Sequence, residues 1–170
     1  MQTSTEMRVW IGCLACYNNG NLRGDWHNAN CAGDVTPEDV HGGPSSHDEL
    51  WCMDTEGFPS GTGEMSPQEA QDMADAFEAV DEPAAFAAWI AAGCGTLADA
   101  DEFRAAYCGE FESEEDYAQE LADEIGAIPP GVGWPCTCID WGRAARELFC
   151  GDYWSTSVRG GRTVYVFRSQ

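Results

Sequence analysis

The most informative stretch of the chain is residues 66–80, which read SPQEAQDMADAFEAV. Ser66, Pro67 and Glu69 form the pattern of a capping box with proline at the first helical position, so they predict that a helix begins here. Apolar residues from Ala70 to Val80 recur on one side at helical spacing. Acidic residues occupy every third position on the other side, at Glu69, Asp72, Asp75 and Glu78. The stretch therefore predicts an amphipathic helix whose solvent face is a row of carboxylates.

The spacing of this row is close to that of charges on nucleic acid. Residues three apart on a helix rise about 4.5 Å along its axis, and duplex DNA carries one charge per ~1.7 Å of axis, or ~3.4 Å per strand. Several acidic helices and loops lying side by side can therefore reach a comparable charge density. A second row is predicted on a helix that Ser113 caps and that reaches Ile125. Its acidic positions are Glu115, Asp116, Glu120, Asp123 and Glu124.

The whole chain carries an excess of acid. Its 170 residues contain 30 Asp and Glu against 8 basic residues, for a formal net charge of −22, and every basic residue is arginine. Such a charge disfavours nucleic acids and anionic membranes as partners and favours a basic protein surface or a multivalent cation. The alternative is a merely solvated acidic surface, as in a salt-adapted protein. The ordered spacing of the acids favours a functional face.

The remaining patterns predict short strands and helices in succession. The predicted strands are 7–13 and 49–54, and a hairpin is predicted around Gly160-Gly161. Four further helices are predicted, from Thr36 to about Gly42, from Glu82 to about Ala92, from Asp99 to about Tyr107 and from Asp140 to about Cys150. The fold class is therefore α+β, arranged as an elongated chain of three small domains. After a flexible leader (1–6), these are a mixed N-terminal β-sheet domain (7–63), a central helical bundle (64–108) and a C-terminal domain of helices and a β-hairpin (109–170).

The nine cysteines indicate mostly buried, reduced thiols in a cytoplasmic protein, because no signal-peptide or transmembrane pattern is present. Zinc binding is the alternative. One possible ligand set is Cys13, Cys16, His27, Cys31, His41, His47 and Cys52, and another is Cys136 with Cys138. Neither set shows paired C-x-x-C ribbons or the spacing of a Cys₂His₂ finger, so no metal and no cofactor is predicted.

The sequence gives no indication of an enzyme. It contains no G-x-S-x-G, P-loop or H-E-x-x-H motif, and its carboxylates are too numerous to single out a glycosidase pair. The acids around Asp99 lack the glycine and the ligand spacing of an EF-hand. Phe86 and Trp89, at helical spacing, are predicted to be core residues rather than a ligand platform. A non-enzymatic interaction protein is therefore predicted.

Four stretches, in the right order, resemble the ArdA family of antirestriction proteins. They are VWI with YNNGNLRGDW (residues 9–11 and 17–26), DTEGFP (54–59), YCGEFESEEDYA (107–118) and IDWGRAARELFCGDY (139–153). The last of them resembles the antirestriction motif of that family. Its residues are the candidates for the motif and for a dimer interface, namely Asp140, Trp141, Ala144, Arg146, Leu148, Phe149, Asp152 and Tyr153.

The resemblance implies an elongated homodimer, shaped and charged like bent B-form DNA, that fills the DNA groove of a type I restriction–modification complex at its methyltransferase core. Such proteins protect incoming DNA of plasmids, conjugative transposons and phages. The hypothesised phosphate surrogates are Glu69, Asp72, Asp75, Glu78, Glu115, Asp116, Glu120, Asp123 and Glu124. The alternative is an acidic interaction module for another basic DNA-binding protein, such as a nucleoid protein, a repressor or a different defence complex.

Overall fold

The computed structural model describes residues 6–157 and 161–169 of the chain. Over these residues the fold is α+β, with two three-stranded antiparallel sheets and several helices. The first five residues of the predicted leader lie outside the described part, as does Gly160 of the predicted hairpin turn.

The chain folds into two compact units, each with its own sheet. The first unit is Met1–Ala87 with Thr96–Ala100, and the second is Ala88–Gly95 with Asp101–Gln170. The α+β class is confirmed, whereas the predicted arrangement of three domains is not.

The sheet of the first unit is centred on β1 (Arg8–Cys13), which pairs antiparallel with β2 (Gly24–Asn28) and with β3 (Leu50–Glu56). Val9 and Ile11 alternate onto its inner face and are fully buried. The sequence predicted β1 and β3 but not β2. The segment that forms β2 contains Gly, Asp and Asn, which are rare in strands, so its pairing with β1 and not its own propensity makes it a strand.

Helices cover this sheet. A 3₁₀ helix (Ala29–Asp34) and α3 (Pro67–Glu78) contribute small residues to one cluster with the strands, so that backbones approach closely. The shared core residues are Val9, Ile11, Ala29, Ala32, Cys52, Met65, Ala70 and Ala74. Two five-residue helices, α1 (Leu14–Asn18) and α2 (Pro37–His41), follow the ends of β1 and of the 3₁₀ segment.

The predicted central helices are present as α4 (Pro83–Ala91) and α5 (Ala100–Ala106). Phe86 is 0% exposed and Trp89 is 2% exposed, which confirms that both are core residues. Phe86 packs edge-to-face on Phe77, whereas Trp89 packs on Phe103.

The second sheet has the order β4–β6–β5, with β4 (Tyr107–Phe111), β5 (Tyr153–Ser157) and β6 (Val164–Arg168). The predicted hairpin strands are confirmed as β5 and β6. The sequence placed Tyr107 at the end of a helix, and this was wrong. Tyr107 begins β4, where it pairs with β6, and its half-buried ring is stacked on Phe103 at 5.3 Å and tilted against Phe167 at 5.6 Å.

The second unit also contains α6 (Glu114–Glu124), a short 3₁₀ helix (Cys136–Cys138) and α7 (Trp141–Leu148). Ser113 and Asp140 cap α6 and α7 through their side chains, as the sequence predicted. Tyr117 of α6 is buried against Phe111. No helix within the described residues combines the length and the apolar character needed to cross a bilayer.

The expectation of mostly buried thiols was wrong. All nine cysteines are free, but only Cys13 and Cys52 are buried. Five are exposed because they lie at helix ends or in 3₁₀ turns rather than against a sheet, namely Cys31, Cys94, Cys136, Cys138 and Cys150.

Candidate functional site

The acidic row of α3 faces solvent. Ala70, Ala74 and Phe77 are buried on the opposite side of the helix. The four carboxylates at Glu69, Asp72, Asp75 and Glu78 are exposed.

Each of these carboxylates accepts a hydrogen bond from a neutral donor. The side-chain amide of Asn30 donates to Glu78 Oε2 at 2.7 Å and to Asp75 Oδ1 at 3.3 Å. The amide of Gln68 donates to Asp72 at 2.8 Å. Neutral donors fix the direction of a carboxylate and bring no positive charge to it, so these bonds orient the row without neutralising it.

Glu69 is held by the capping box. The backbone N–H of Ser66 and its hydroxyl donate to Glu69 Oε2 at 2.8 and 2.7 Å. These two bonds, the backbone one first, lower the pKa of the Glu69 carboxyl. Thr36 holds Asp39 and Thr96 holds Asp99 in the same way. The pKa of the Asp39 carboxyl is lowered first by the Thr36 hydroxyl and then by its backbone N–H, and the pKa of the Asp99 carboxyl first by the backbone N–H of Thr96 and then by its hydroxyl.

The acidic row of α6 is exposed too. It covers the solvent side of the helix, opposite the buried Tyr117 and Ala118. Its exposed acids are Glu115, Asp116, Glu120, Asp123 and Glu124. The α3 row and the α6 row belong to different compact units.

Ion pairs of three arginines lie outside both acidic rows. Arg8 pairs with Glu56 at 3.7 Å, Arg143 with Glu147 at 3.5 Å, and Arg104 with Asp101. None of them includes a carboxylate of the α3 or α6 row.

The motif-like segment forms α7 and the start of β5. Asp140 Oδ1 accepts from the backbone N–H of Arg143 at 2.9 Å and so caps α7. Phe149 and Tyr153 pack edge-to-face on Tyr117 at 6.0 and 5.1 Å. Of the other candidates, Trp141, Ala144 and Leu148 are half-buried, and Arg146 and Asp152 are exposed.

The buried ring of Tyr117 is central to this segment. Burial, with a hydrogen bond that the Tyr117 hydroxyl donates to Tyr153 as the next cause, raises the pKa of the Tyr117 hydroxyl far above its usual value. Phe149 and Tyr153 therefore contribute to the internal packing of the second unit, and Asp140 to its helix capping.

Sequence reasoning did not single out the exposed apolar side chains between the end of α6 and the start of α7. Trp134 is 83% exposed, Val132 40% and Ile139 36%, and Ile125 at the end of α6 is 68% exposed. Exposed tryptophan is unusual on a monomer surface and is enriched at interfaces. The sequence signal was Trp134 in a segment otherwise rich in Pro and Gly.

Four of the possible zinc ligands lie together, although the sequence favoured no metal. They are Cys13, Cys16, His41 and His47. Cys31 is exposed and Cys52 is buried in the first core, where burial raises the pKa of its thiol to about 11. His27 and the Cys136/Cys138 pair belong to no such group within the residues described.

The family model for the antirestriction protein ArdA matches residues 9–162 of the chain. The match covers most of both compact units, which places the chain among antirestriction proteins. In particular, the chain belongs to the ArdA family. Membership implies an antirestriction function and an interaction with restriction–modification enzymes. No curated protein matches the chain.

Proposed function

We propose that the protein inhibits type I restriction–modification enzymes as a DNA mimic. The carboxylates of the α3 and α6 rows would occupy the positions in the DNA groove that phosphates take, and the methyltransferase core would be the contact. Incoming DNA of a mobile element would thereby escape restriction. The observation that carries this proposal is the α3 row, whose four carboxylates are oriented by neutral donors.

Orientation matters because binding costs free energy to order side chains. An immobilised flexible side chain costs about 0.5–1.5 kcal/mol on association. Carboxylates held in advance by Asn30, Gln68 and Ser66 have already lost much of that freedom. Lys and Arg of a DNA groove would then meet a fixed negative array, as they do on duplex DNA.

A solvated, salt-adapted surface has no need for this arrangement. Solubility depends on net charge and not on the direction of each carboxylate. Orienting amides on the wet face of α3 therefore support recognition over solvation.

A homodimer is part of the proposal. The exposed Trp134 lies shortly before the motif-like segment and the exposed Ile139 is its first residue, and the family resemblance associates this segment with the dimer. Burial of these side chains against a second copy would remove exposed apolar surface next to α7. Two copies would double the length of acidic surface offered to the target.

The test is displacement of DNA. A fluorescently labelled duplex is bound to a purified type I methyltransferase at moderate salt, and the protein is added. We expect release of the duplex at stoichiometric to low excess protein. The matched variant carries E69Q, D72N, D75N and E78Q, and we expect it to release the duplex only at roughly tenfold or higher concentration, because each charge contributes about 0.2–1 kcal/mol.

The alternative target is another basic DNA-binding protein. The same experiment with a purified nucleoid protein in place of the methyltransferase separates the two. Release of DNA from the nucleoid protein alone would favour that alternative. If the duplex stays on both proteins at saturating concentrations of the chain, the mimicry proposal is wrong.

A further inference from the structure

Four side chains of metal-ligating types meet in the first unit, and none of them belongs to the acidic row of α3. They come from separate segments: Cys13 ends β1, Cys16 lies in α1, His41 ends α2, and His47 lies in the loop before β3. One possible ligand atom of each residue lies within 4.8 Å of those of the other three. Cys13 is buried and the other three are half-buried.

The distances are close to those of a tetrahedral centre. His47 Nδ1 is 3.5 Å from Cys13 Sγ and 3.4 Å from Cys16 Sγ. A zinc ion with Zn–S of about 2.3 Å and Zn–N of about 2.0–2.1 Å sets its sulfur and nitrogen ligands about 3.5 Å apart. The other pairs of the cluster, all within 4.8 Å, would need to close by at most about 1.5 Å.

His41 supplies an independent observation. Its Nε2 is buried and has no hydrogen-bond partner among the described residues. Its Nδ1 lies 3.3 Å from Nη1 of Arg23, which can only donate, so Nδ1 accepts and Nε2 carries the proton. A buried N–H without an acceptor costs about 1–3 kcal/mol, and a ligand at that position would remove the cost.

The local backbone is built to bring the histidines together. Gly42 adopts a left-handed conformation, with φ of 70°, and ends α2 directly after His41. Ser45 Oγ then accepts from the backbone N–H of His47 at 3.0 Å and fixes the returning loop. On the other side, the backbone N–H of Cys16 donates to Cys13 Sγ at 3.4 Å, and this bond caps the first turn of α1.

We propose that Cys13, Cys16, His41 and His47 form a structural Zn²⁺ site. Two thiolates and two imidazoles are the donor set that zinc prefers, and four protein ligands leave no open position for a substrate. His47 would bind through Nδ1 and His41 through Nε2. When zinc binds, the two thiols each lose a proton. The proton of His41 moves from Nε2 to Nδ1, so Nδ1 can no longer accept from Arg23 Nη1 and the contact between these two atoms breaks.

The separate spacings agree with this assignment. Cys13-x-x-Cys16 and His41-x₅-His47 each have the ligand spacing of zinc sites. Residues 17–40 lie between the two pairs, so the sequence as a whole does not have the spacing of a Cys₂His₂ finger. The zinc ion would join the end of β1, the end of α2 and the loop into β3. Its function would be to fix the first unit, whatever the target of the acidic rows.

The test is the metal content and the spectrum of the full chain. Protein purified under reducing conditions in zinc-replete medium is expected to contain about one zinc per chain. Replacement by Co²⁺ is expected to give thiolate-to-cobalt charge-transfer bands and the intense ligand-field bands of a tetrahedral centre. The substitutions Cys16→Ser and His47→Gln are each expected to reduce zinc below about 0.2 per chain.

The controls are Cys31→Ser and the double variant Cys136→Ser, Cys138→Ser, which alter cysteines outside the cluster and should keep full zinc content. Should a cluster variant fail to fold, the cobalt spectrum of the unmodified chain still decides the matter. Absence of zinc together with an octahedral cobalt spectrum would overturn the proposal. So would a Cys13–Cys16 disulfide that persists in reductant and excludes the metal.

Discussion

At the level of single residues, the carboxylates of the α3 row are held by hydrogen bonds from neighbouring side chains. Asn30 joins Asp75 and Glu78, and Gln68 orients Asp72. The sequence predicted the positions of these acids, since they follow from helical period. It did not predict their partner Asn30, because that contact joins residues 45 and 48 positions apart.

Removing the orienting amide tests whether direction matters apart from charge. Asn30→Ala leaves the net charge unchanged and frees Asp75 and Glu78. We expect inhibition of the methyltransferase to weaken by roughly two- to tenfold, the worth of one or two hydrogen bonds of about 0.5–1.5 kcal/mol. The measurement is the concentration for half-maximal DNA release. Asn21→Ala, at an exposed loop position, is the matched control. Equal potency of the two variants would mean that orientation contributes nothing.

Glu69 also has a structural function, which makes helix stability depend on pH. Its pKa is lowered in the folded state, so its stabilising effect is complete above its unfolded value, about 4.3, and is lost as pH falls through the folded value. We therefore expect Glu69→Gln to have a lower Tm than Asp72→Asn at pH 7. The gap should narrow as the pH falls below the unfolded value. Thermal unfolding monitored by circular dichroism measures this difference in Tm. A difference that grows as the pH is lowered would contradict the capping role.

At the scale of elements, local signals predicted the helices well. Capping residues at Ser66, Ser113 and Asp140 mark helix starts that the structure confirms. The strands β2 and β4 were missed because partners distant in sequence create them. The same limit applies to the Cys–His cluster. Its cysteine pair and its histidine pair each have the spacing of zinc ligands, but only the fold brings the two pairs together.

The α6 row contains charge repulsion that function can explain. Asp116 and Glu120, and Glu120 and Glu124, are like charges four residues apart, and each pair destabilises the helix by about 0.2–0.5 kcal/mol. We expect Glu120→Gln to raise the Tm slightly while it weakens inhibition by a few-fold at most. The fourfold variant D116N, E120Q, D123N, E124Q should weaken inhibition by roughly tenfold or more.

Paired measurements of Tm and inhibition across this series separate two accounts. A functional face predicts that stability and inhibition move in opposite directions. A solvated face predicts greater stability with unchanged inhibition. A single substitution that abolishes inhibition would contradict a binding surface spread over many charges.

At the scale of the whole molecule, the family and the α+β fold are established, and the dimer is a proposal. Trp134 is the largest exposed apolar side chain beside the motif-like segment. If Trp134 is buried in a homodimer, Trp134→Ser removes an interface tryptophan, and such a residue contributes about 2 kcal/mol or more to the free energy of association. We expect the dimer dissociation constant to rise roughly 30-fold or more.

Sedimentation velocity over a concentration series measures this change. Leu22→Ser, which alters an exposed apolar side chain of the first unit, is the control and should leave the dimer unchanged. A chain that remains monomeric at all concentrations would remove the dimer from the account, as would an unaffected Trp134→Ser dimer.

The claim that most needs testing is that the chain and DNA compete for one groove. The direct measurement is the apparent Kd of a duplex for the type I methyltransferase at increasing, fixed concentrations of the chain. Mutually exclusive binding predicts a Kd that rises linearly without limit, with a smaller slope at higher salt because the contacts are ionic. A Kd that reaches a plateau, or a stable complex containing enzyme, duplex and chain together, would contradict mimicry.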